Sequence, residues 1–213
     1  MLFRSNSLCF KFVLVGDSAV GKTSISNMFC KNTFDKNQPQ TIGLDFGVKN
    51  ITIETQSIKI QVWDTAGQEK YHSITKAYFR GSAAVFLVFD VTNRESFSHI
   101  STWTNDATCL SPPTAVKVLI GNKTDLEANR AVTSAEASDY AEQNGLLYFE
   151  TSALSGERIN DSFIETAHKI YEKYKNDNAK FNINVNDGGN INDDSDIIDI
   201  YEVNQNQNKN NCC

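Results

Sequence analysis

The hydrophobic and polar positions along the chain form two kinds of segment. Three short and nearly continuous apolar runs, residues 10–15, 83–89 and 116–120, are typical of central strands buried on both faces of a parallel sheet. Residues 146–149 predict a further short strand. Over residues 157–175, apolar side chains recur at helical spacing and predict a helix with one apolar face. Strands that alternate with helices indicate an α/β layer fold.

Residues 51–62 follow a different pattern, in which apolar and polar positions alternate. Such alternation predicts strands with one buried face, and the polar pair Gln56-Ser57 in the middle predicts a turn. We therefore expect a hairpin at one edge of the sheet. The alternating apolar residues are Ile51, Ile53, Ile58, Ile60 and Val62.

The composition changes near Lys175 and divides the chain into two parts. A length of 213 residues predicts one globular domain, residues 1–175, with a C-terminal appendage, residues 176–213. Residues 176–211 contain twelve asparagines, seven acidic and two basic residues, and carry −5 of the net charge of −6. Such a segment buries too little apolar area to offset its ordering entropy, so we expect a flexible tether. An apolar patch at residues 197–203 is either a docking segment or an isolated apolar spot.

The overall composition excludes several classes of protein. The acidic balance, without a local basic patch, argues against nucleic-acid binding. The longest apolar run, residues 83–89, is far shorter than a membrane-spanning helix requires. We identify no secretory signal. The five cysteines show no metal-ligand spacing, which favours a reducing, cytosolic compartment.

A glycine-rich loop follows the first predicted strand. Residues 16–23 match the pattern GxxxxGK[ST], and the preceding strand is the context that this pattern requires. In such a loop, backbone N–H groups, the N-terminus of the next helix and the lysine surround a polyphosphate. The Thr23 hydroxyl is also a candidate Mg²⁺ ligand. The candidate phosphate-binding residues are Gly16, Asp17, Ser18, Ala19, Val20, Gly21, Lys22, Thr23 and Ser24.

Two later segments carry groups suited to a guanine base. Residues 122–125, Asn-Lys-Thr-Asp, follow a predicted strand at the sheet edge where parallel sheets bind ligands. Guanine presents two adjacent N–H donors that one carboxylate, Asp125, can accept, whereas adenine offers no such pair. Asn122 would fix the loop and the base edge, and the stem of Lys123 would lie along the ring. The N–H of Ala153, after the next strand, is expected near the guanine carbonyl.

A third motif, residues 63–69, stands at the end of the predicted hairpin. Asp64 is placed to hold Mg²⁺ through water, and Gly67 leaves room for its N–H to approach a γ-phosphate. The amide of Gln68 suits the orientation of an attacking water rather than its deprotonation. Because phosphoryl transfer needs mainly positioning and charge neutralisation, a neutral amide is adequate as the catalytic group.

Together these motifs resemble those of the Rab family of small GTPases. The resemblance covers about residues 8–175 and rests on residues 16–23, 41–46, 63–69, 73–75, 78–81, 122–125 and 152–153, and on Cys212-Cys213 at the C-terminus. It implies a P-loop NTPase small G domain: a mostly parallel six-stranded sheet with one antiparallel edge strand and helices on both faces. It also implies a switch in vesicle traffic that hydrolyses GTP to GDP and phosphate, slowly without an activating protein.

The resemblance implies roles for further residues. Thr41 would contact Mg²⁺ and the γ-phosphate, Phe34 would pack edgewise on guanine, and two segments near residues 34–47 and 65–80 would be ordered by GTP. Trp63 is by position equally well interpreted as core packing, and the resemblance favours an effector contact. The implied effector residues are Phe46, Trp63 and Tyr78, and the implied base-site residues after the last strand are Ser152, Ala153 and Leu154.

The C-terminus and the partners are likewise implied by the resemblance. The resemblance implies that Cys212 and Cys213 are both geranylgeranylated, and the alternative is two unmodified thiols. One lipid anchors a protein only marginally, and the acidic tail is repelled by anionic leaflets, so stable attachment would need both lipids. We expect a monomer on the cytoplasmic face of intracellular membranes, with a soluble cytosolic pool. The implied partners are effectors, an exchange factor, a GTPase-activating protein and a dissociation inhibitor.

Two other functions remain open from the sequence. A small-metabolite kinase with a phosphate-binding loop would leave residues 122–125 and Gln68 unexplained. The second alternative is a protein that binds nucleotide but does not hydrolyse it. Gln38 and Lys70 depart from the Rab pattern, so this alternative remains open. The three histidines show no ligand spacing, and we interpret them as ordinary surface or switch residues; they are His72, His99 and His168.

Overall fold

Strands and helices alternate along the chain as the sequence pattern predicts. The computed structural model describes residues 8–41, 43–65 and 78–185, with side chains described as far as residue 176. The strands are β1 (Leu8–Val15), β2 (Leu44–Ile53), β3 (Gln56–Thr65), β4 (Ala84–Asp90), β5 (Val116–Asn122) and β6 (Leu147–Thr151). The helices are α1 (Lys22–Lys31), α2 (Arg94–Ser98), α3 (Ile100–Leu110), α4 (Ser134–Gln143) and α5 (Ile159–Val185), and a 3₁₀ helix covers Thr124–Asn129.

The six strands form one sheet in the order β2-β3-β1-β4-β5-β6. The β2–β3 pair is antiparallel and every other neighbouring pair is parallel. This confirms the predicted mixed sheet with one antiparallel edge strand. The carboxyl ends of β1, β4, β5 and β6 therefore lie along one edge, where ligands bind in open α/β sheets.

Two hydrophobic clusters cover the two faces of the sheet. On one face, Phe12 of β1 packs with Phe86 of β4 and Phe163 of α5, with ring centroids 5.4 and 6.0 Å from Phe12. On the other face, the neighbouring residue Val13 belongs to a cluster that includes Trp103 of α3. Because successive side chains of a strand point to opposite faces, burial on both sides explains the continuous apolar runs of the central strands.

The hairpin turn lies two residues earlier than the sequence pattern predicts. Ile53 pairs with Gln56, and the turn is formed by Glu54 and Thr55, with Glu54 at a φ of 55°. The prediction of a turn at residues 56–57 was wrong because a shift by two residues leaves every side chain on its original face, so alternation does not distinguish the registers. In the observed register Ile60 pairs with Lys49, whose ammonium lies 4.4 Å from the Phe29 ring centroid.

Helix α5 continues past the change in composition near Lys175. It runs to Val185, ten residues into the segment for which composition predicts a tether. Its first half is anchored by Ile159, Phe163 and Ala167, which are buried as the predicted apolar face requires. Extending a helix that is already nucleated adds one hydrogen bond for each residue that is fixed, so a polar segment can remain helical. Within the described part of the chain, none of the helices has the length and apolar character needed to cross a bilayer.

Candidate functional site

The loop between β1 and α1 is held close to the sheet by two glycines. Gly16 has a φ of 140°, and a Cβ at this position would clash with the carbonyl oxygen of Val88 in β4. Gly21 has a φ of 101°, and a Cβ there would clash with the side-chain amide of Asn122. Both backbone conformations lie where L side chains are strained. The glycine positions of the motif are therefore required by close backbone contacts with β4 and β5.

The loop surrounds the ammonium group of Lys22, the first residue of α1. Lys22 is 5% exposed, and its Nζ donates to the carbonyl oxygens of Gly16 and Asp17 at 2.7 and 2.6 Å. No side chain caps the N-terminus of α1 at Gly21. The first N–H groups of a helix have no partners within the helix and favour negative charge. A buried cation beside a helix N-terminus is a suitable environment for phosphate groups.

Three oxygen-bearing side chains from distant parts of the chain meet beside this helix end. The hydroxyl of Thr23 lies 2.5 Å from both the hydroxyl of Thr41 and Oδ2 of Asp64. Asp64 is fully buried at the end of β3, and its Oδ1 has no hydrogen-bond partner within the described structure. Burial raises the pKa of Asp64 to about 6, although the hydrogen bond from Thr23 and the charge of Lys22 oppose this shift. An unpartnered buried carboxylate oxygen beside two hydroxyls is typical of a site for a hard cation.

Asn122, at the end of β5, joins the phosphate loop to the segment after β6. Its side chain is 1% exposed, and its Nδ2 donates to the carbonyl oxygen of Val20 at 2.9 Å. Its Oδ1 accepts from the backbone N–H of Ala153 at 3.2 Å and from the Thr151 hydroxyl at 3.3 Å. The N–H of Ala153, predicted to lie near a guanine carbonyl, thus donates to Asn122 in this structure.

The carboxylate of Asp125 is oriented from the neighbouring loop. Its Oδ1 accepts the hydroxyl hydrogen of Ser152 at 2.5 Å. The backbone of Lys123 adopts a left-handed conformation with a φ of 73°, and its Nζ forms an ion pair with Asp90 of β4 at 2.6 Å. The two candidate base-recognition segments are therefore in direct contact, as their positions after neighbouring parallel strands predict.

Arg130 makes contacts that support these two segments. The sequence patterns did not predict these contacts. Its guanidinium binds Glu150 of β6 through two hydrogen bonds of 2.8 and 3.1 Å, and its Nε lies 2.9 Å from both carboxylate oxygens of Glu127. These hydrogen bonds keep the pKa of Arg130 above its ordinary value. The bidentate geometry fixes the 3₁₀ helix that carries Asp125 against β6. Only the opposite charges in the sequence could have suggested this pairing.

His99, interpreted from the sequence as an ordinary surface or switch residue, has a half-exposed side chain that also makes one specific contact. His99 stands between α2 and α3, and its Nδ1 lies 2.6 Å from the carboxylate of Asp17, inside the phosphate loop motif. The contact joins residues 82 positions apart, so no spacing rule could reveal it. His168 lies on the exposed side of α5, and His72 lies outside the described residues.

Two of the candidate effector residues form an aromatic pair on the edge hairpin. Phe46 is 47% exposed and contacts Trp63 edge-on, with ring centroids 5.8 Å apart. The ammonium of Lys11 lies 4.0 Å from the Trp63 ring centroid, beneath the exposed pair. Trp63 and Tyr78 also pack against the core cluster that contains Trp103. Trp63 is thus both a packing residue and part of an exposed apolar surface.

The remaining candidate residues are exposed or lie outside the described structure. Phe34, proposed to pack on the base, and Leu154, a candidate base-site residue, are 36% and 45% exposed. The side chains of Ser18 and Gln40 are hydrogen-bonded at 3.0 Å, which brings the segment before Thr41 over the phosphate loop. Gly67, Gln68, Cys212 and Cys213 fall outside the described residues.

Comparison with known proteins agrees with this arrangement. The model of the Ras family matches residues 11–172, which include every described loop of the site. The Ras-related protein Rab-2B of Dictyostelium discoideum is 46% identical over 164 residues, which cover 77% of this chain and 81% of that protein. The chain therefore belongs to the Ras family of small GTPases, as a Rab-type member that binds GTP and GDP and hydrolyses GTP.

Proposed function

We propose that this GTPase is a Mg²⁺-dependent switch in vesicle traffic, whose nucleotide is held by three loops at the carboxyl edge of the sheet. The observation that carries the proposal is the set of contacts through Asn122, which joins Val20 of the phosphate loop to Ala153 of the base segment. Residues 16–24 would hold the phosphates. Asn122, Lys123 and Asp125, with Phe34 and residues 152–154, would hold the guanine.

The oxygen cluster at the start of α1 fits a magnesium ion. Thr23, Thr41 and Asp64 supply only oxygen atoms, the ligands that Mg²⁺ prefers, and Oδ1 of Asp64 has no other partner in the described structure. Asp64 would act through a water molecule, and the two hydroxyls would act directly. When bound, the ion neutralises the negative charge of the phosphates. Because a metal ion binds the ionised form of a carboxylate, its affinity for this site would fall in acid.

The change between the GTP-bound and GDP-bound conformations is proposed to depend on Thr41. Its hydroxyl reaches Thr23 and Asp64 from the segment before β2, so a γ-phosphate that engages Thr41 would hold this segment against the site. Loss of that phosphate would remove the contact and release the segment, together with the one around Gly67. The hydrolysis that removes this phosphate would depend on Gln68 to orient the attacking water. An arginine from an activating protein would increase the rate of hydrolysis by about 10³ to 10⁵.

The role of Gln68 is tested by its replacement with leucine. Gln68→Leu removes the amide that orients water and keeps a side chain of similar size, so we expect hydrolysis to slow by about a hundredfold, the scale of one positioned catalytic group. Single-turnover hydrolysis of bound [γ-³²P]GTP measures this rate, with the GDP dissociation rate as a control that should not change. An unchanged hydrolysis rate would exclude the proposed role, and absence of turnover in the wild type would favour a nucleotide-binding scaffold.

The aromatic pair of Phe46 and Trp63 is the surface proposed to report the nucleotide state. Phe46 lies on β2 within the first proposed switch segment, residues 34–47, and Trp63 lies beside it on β3. Tyr78 belongs to the second proposed segment, residues 65–80. Effectors would bind here in the GTP state. An exchange factor, a GTPase-activating protein and a dissociation inhibitor are the proposed regulators of a monomeric protein that does not bind nucleic acid.

Membrane attachment is proposed to depend on both C-terminal cysteines. Two geranylgeranyl groups would anchor the protein to the cytoplasmic face of intracellular membranes, because the acidic segment before them adds no attraction to anionic lipids. We expect the double variant Cys212→Ser/Cys213→Ser to lose its membrane pool, and each single variant to retain a smaller one. Fractionation of cells that express the tagged protein measures both pools, with Cys109→Ser as the control. A membrane pool that persists in the double variant would contradict this anchor.

A further inference from the structure

The side chain of Asp17 points out of the phosphate loop rather than into it. The Asp17 backbone carbonyl accepts from Lys22 at 2.6 Å, inside the loop. Its carboxylate faces the other way: Oδ1 accepts from the indole N–H of Trp103 at 3.0 Å, and Oδ2 lies 2.6 Å from Nδ1 of His99. Since an ionised carboxylate only accepts, Nδ1 of His99 is the donor in this contact. The second residue of the loop is therefore held from outside by two donors.

The two donors are themselves well fixed. Trp103 is 6% exposed and packs in the core cluster on the α3 face of the sheet, so its indole cannot follow a loop that moves. His99 closes α2 and precedes α3, and its backbone N–H donates to the carbonyl oxygen of Glu95 at 3.2 Å. Helix α2 is capped by Asn93, whose side chain accepts from two backbone N–H groups. Hydrogen bonds to a carboxylate are about twice as strong as neutral ones.

We propose that Trp103 and His99 are positioning residues that set how long the protein retains its nucleotide, acting through the Asp17 carboxylate on the phosphate loop. This inference rests on the proposed phosphate site at residues 16–24. Gly16 permits backbone conformations that other residues do not, so the loop needs an external contact to remain in one conformation. The Asp17 contacts hold the turn that aims the following N–H groups and the Lys22 ammonium at the phosphates. Loss of either donor should loosen this turn and speed release of GDP.

Variants that remove one donor at a time test the inference. Trp103→Phe keeps an aromatic ring in the core and removes the N–H, and His99→Ala removes the imidazole. We expect each to raise the GDP dissociation rate about tenfold to a hundredfold, on the scale of one hydrogen bond to a charged group. His99→Asn, whose amide nitrogen corresponds to Nδ1 of the imidazole and can donate to Asp17, should stay close to the wild type. Stopped-flow release of a fluorescent GDP analogue measures these rates.

A matched control separates positioning from general stability. Tyr140 of α4 donates its hydroxyl to Thr104 of α3 at 3.0 Å, so Tyr140→Phe also removes one aromatic hydrogen bond to α3 but none to the loop. We expect Tyr140→Phe to lower the thermal midpoint as Trp103→Phe does and to leave the GDP dissociation rate unchanged. In ³¹P NMR spectra of bound GDP, the β-phosphorus resonance should shift in Trp103→Phe and His99→Ala, and not in Tyr140→Phe.

A double-mutant cycle shows whether the effect passes through Asp17. In an Asp17→Ala background, Trp103→Phe should change the GDP dissociation rate no further, because the acceptor is already absent. Additive effects in this cycle, or wild-type dissociation rates in both Trp103→Phe and His99→Ala, would overturn the inference. If Trp103→Phe does not fold, the half-exposed residue His99 decides the result through the Ala and Asn variants. Failure of the wild type to retain GDP would instead overturn the proposed phosphate site.

Discussion

Replacement of Asp125 by asparagine is expected to change the base preference of the protein from guanine to xanthine. The carboxylate is proposed to accept both N–H donors of the guanine edge. Hydrogen bonds to a charged group contribute about 1.5–3 kcal/mol each, so the loss of two should weaken GDP binding by about 10² to 10⁴. Xanthine replaces the exocyclic amine of guanine with a carbonyl group, which can accept from the asparagine amide.

The contact with Ser152 is expected to fix the orientation of the side-chain amide in the Asp125→Asn variant. The Ser152 hydroxyl donates to Oδ1 of Asp125 at 2.5 Å. In Asp125→Asn the same hydroxyl can donate to the amide oxygen, which fixes the side chain with its NH₂ group at the former position of Oδ2. The variant then presents one acceptor and one donor, and this pair is complementary to the N–H and carbonyl of xanthine rather than to the two N–H donors of guanine.

Competition against a fluorescent nucleotide measures the affinities of GDP and XDP for both proteins. Glu127→Gln is a suitable control, because it also converts a carboxylate to an amide in the same 3₁₀ helix, but its side chain is bound to Arg130 and is largely exposed. We expect this control to keep the preference for GDP. An Asp125→Asn variant that still prefers GDP to XDP would remove Asp125 from the base site.

Replacement of Lys22 by methionine is expected to abolish tight nucleotide binding. The variant keeps the aliphatic stem and removes the ammonium group, which lies inside the phosphate loop and is 5% exposed. Bonds from this ammonium to two phosphate groups would contribute about 3–6 kcal/mol, and their loss corresponds to about 10² to 10⁴ in affinity. Because a buried charge is costly to desolvate, the nucleotide-free variant should be no less stable than the nucleotide-free wild type.

Isothermal titration with GDP, before and after addition of Mg²⁺, measures this loss. Lys31→Met is the matched control, since Lys31 is the last residue of the same helix, is exposed, and bonds only the Asn27 side chain among the contacts described. The control should bind GDP as the wild type does. Lys22→Met with wild-type affinity would contradict the proposed role of this ammonium in phosphate binding.

Local residue order was sufficient to predict most of the fold. Continuous apolar runs identified the central strands, because a strand covered on both faces must be apolar at every position. The glycine-rich loop could be predicted for a similar reason: its glycines, lysine and threonine stand close together in the sequence and match one motif. The candidate base residues were found because they follow neighbouring strands whose ends meet at one edge.

Long-range polar contacts could not be predicted in this way. The Asp17–His99 contact spans 82 positions and the contact of Arg130 with Glu150 spans 20, and neither leaves a pattern in the intervening residues. The hairpin turn was misplaced because alternation is unchanged by a shift of two residues. The length of α5 was underestimated because composition near Asn176 was taken to outweigh the cooperativity of an anchored helix.

The order of residue types along the chain thus specifies an α/β sheet, with a glycine-rich loop after its first strand and the candidate base-binding residues after its later strands. Folding decides how these groups are held: Asn122 between two loops, Asp125 oriented by Ser152, and Asp17 turned outward to Trp103 and His99. The physical reason is that the two kinds of feature depend on residues at different separations along the chain. Backbone conformation and burial depend on neighbouring residues, whereas the direction of a polar side chain depends on donors and acceptors that only the assembled sheet and helices bring within 3 Å.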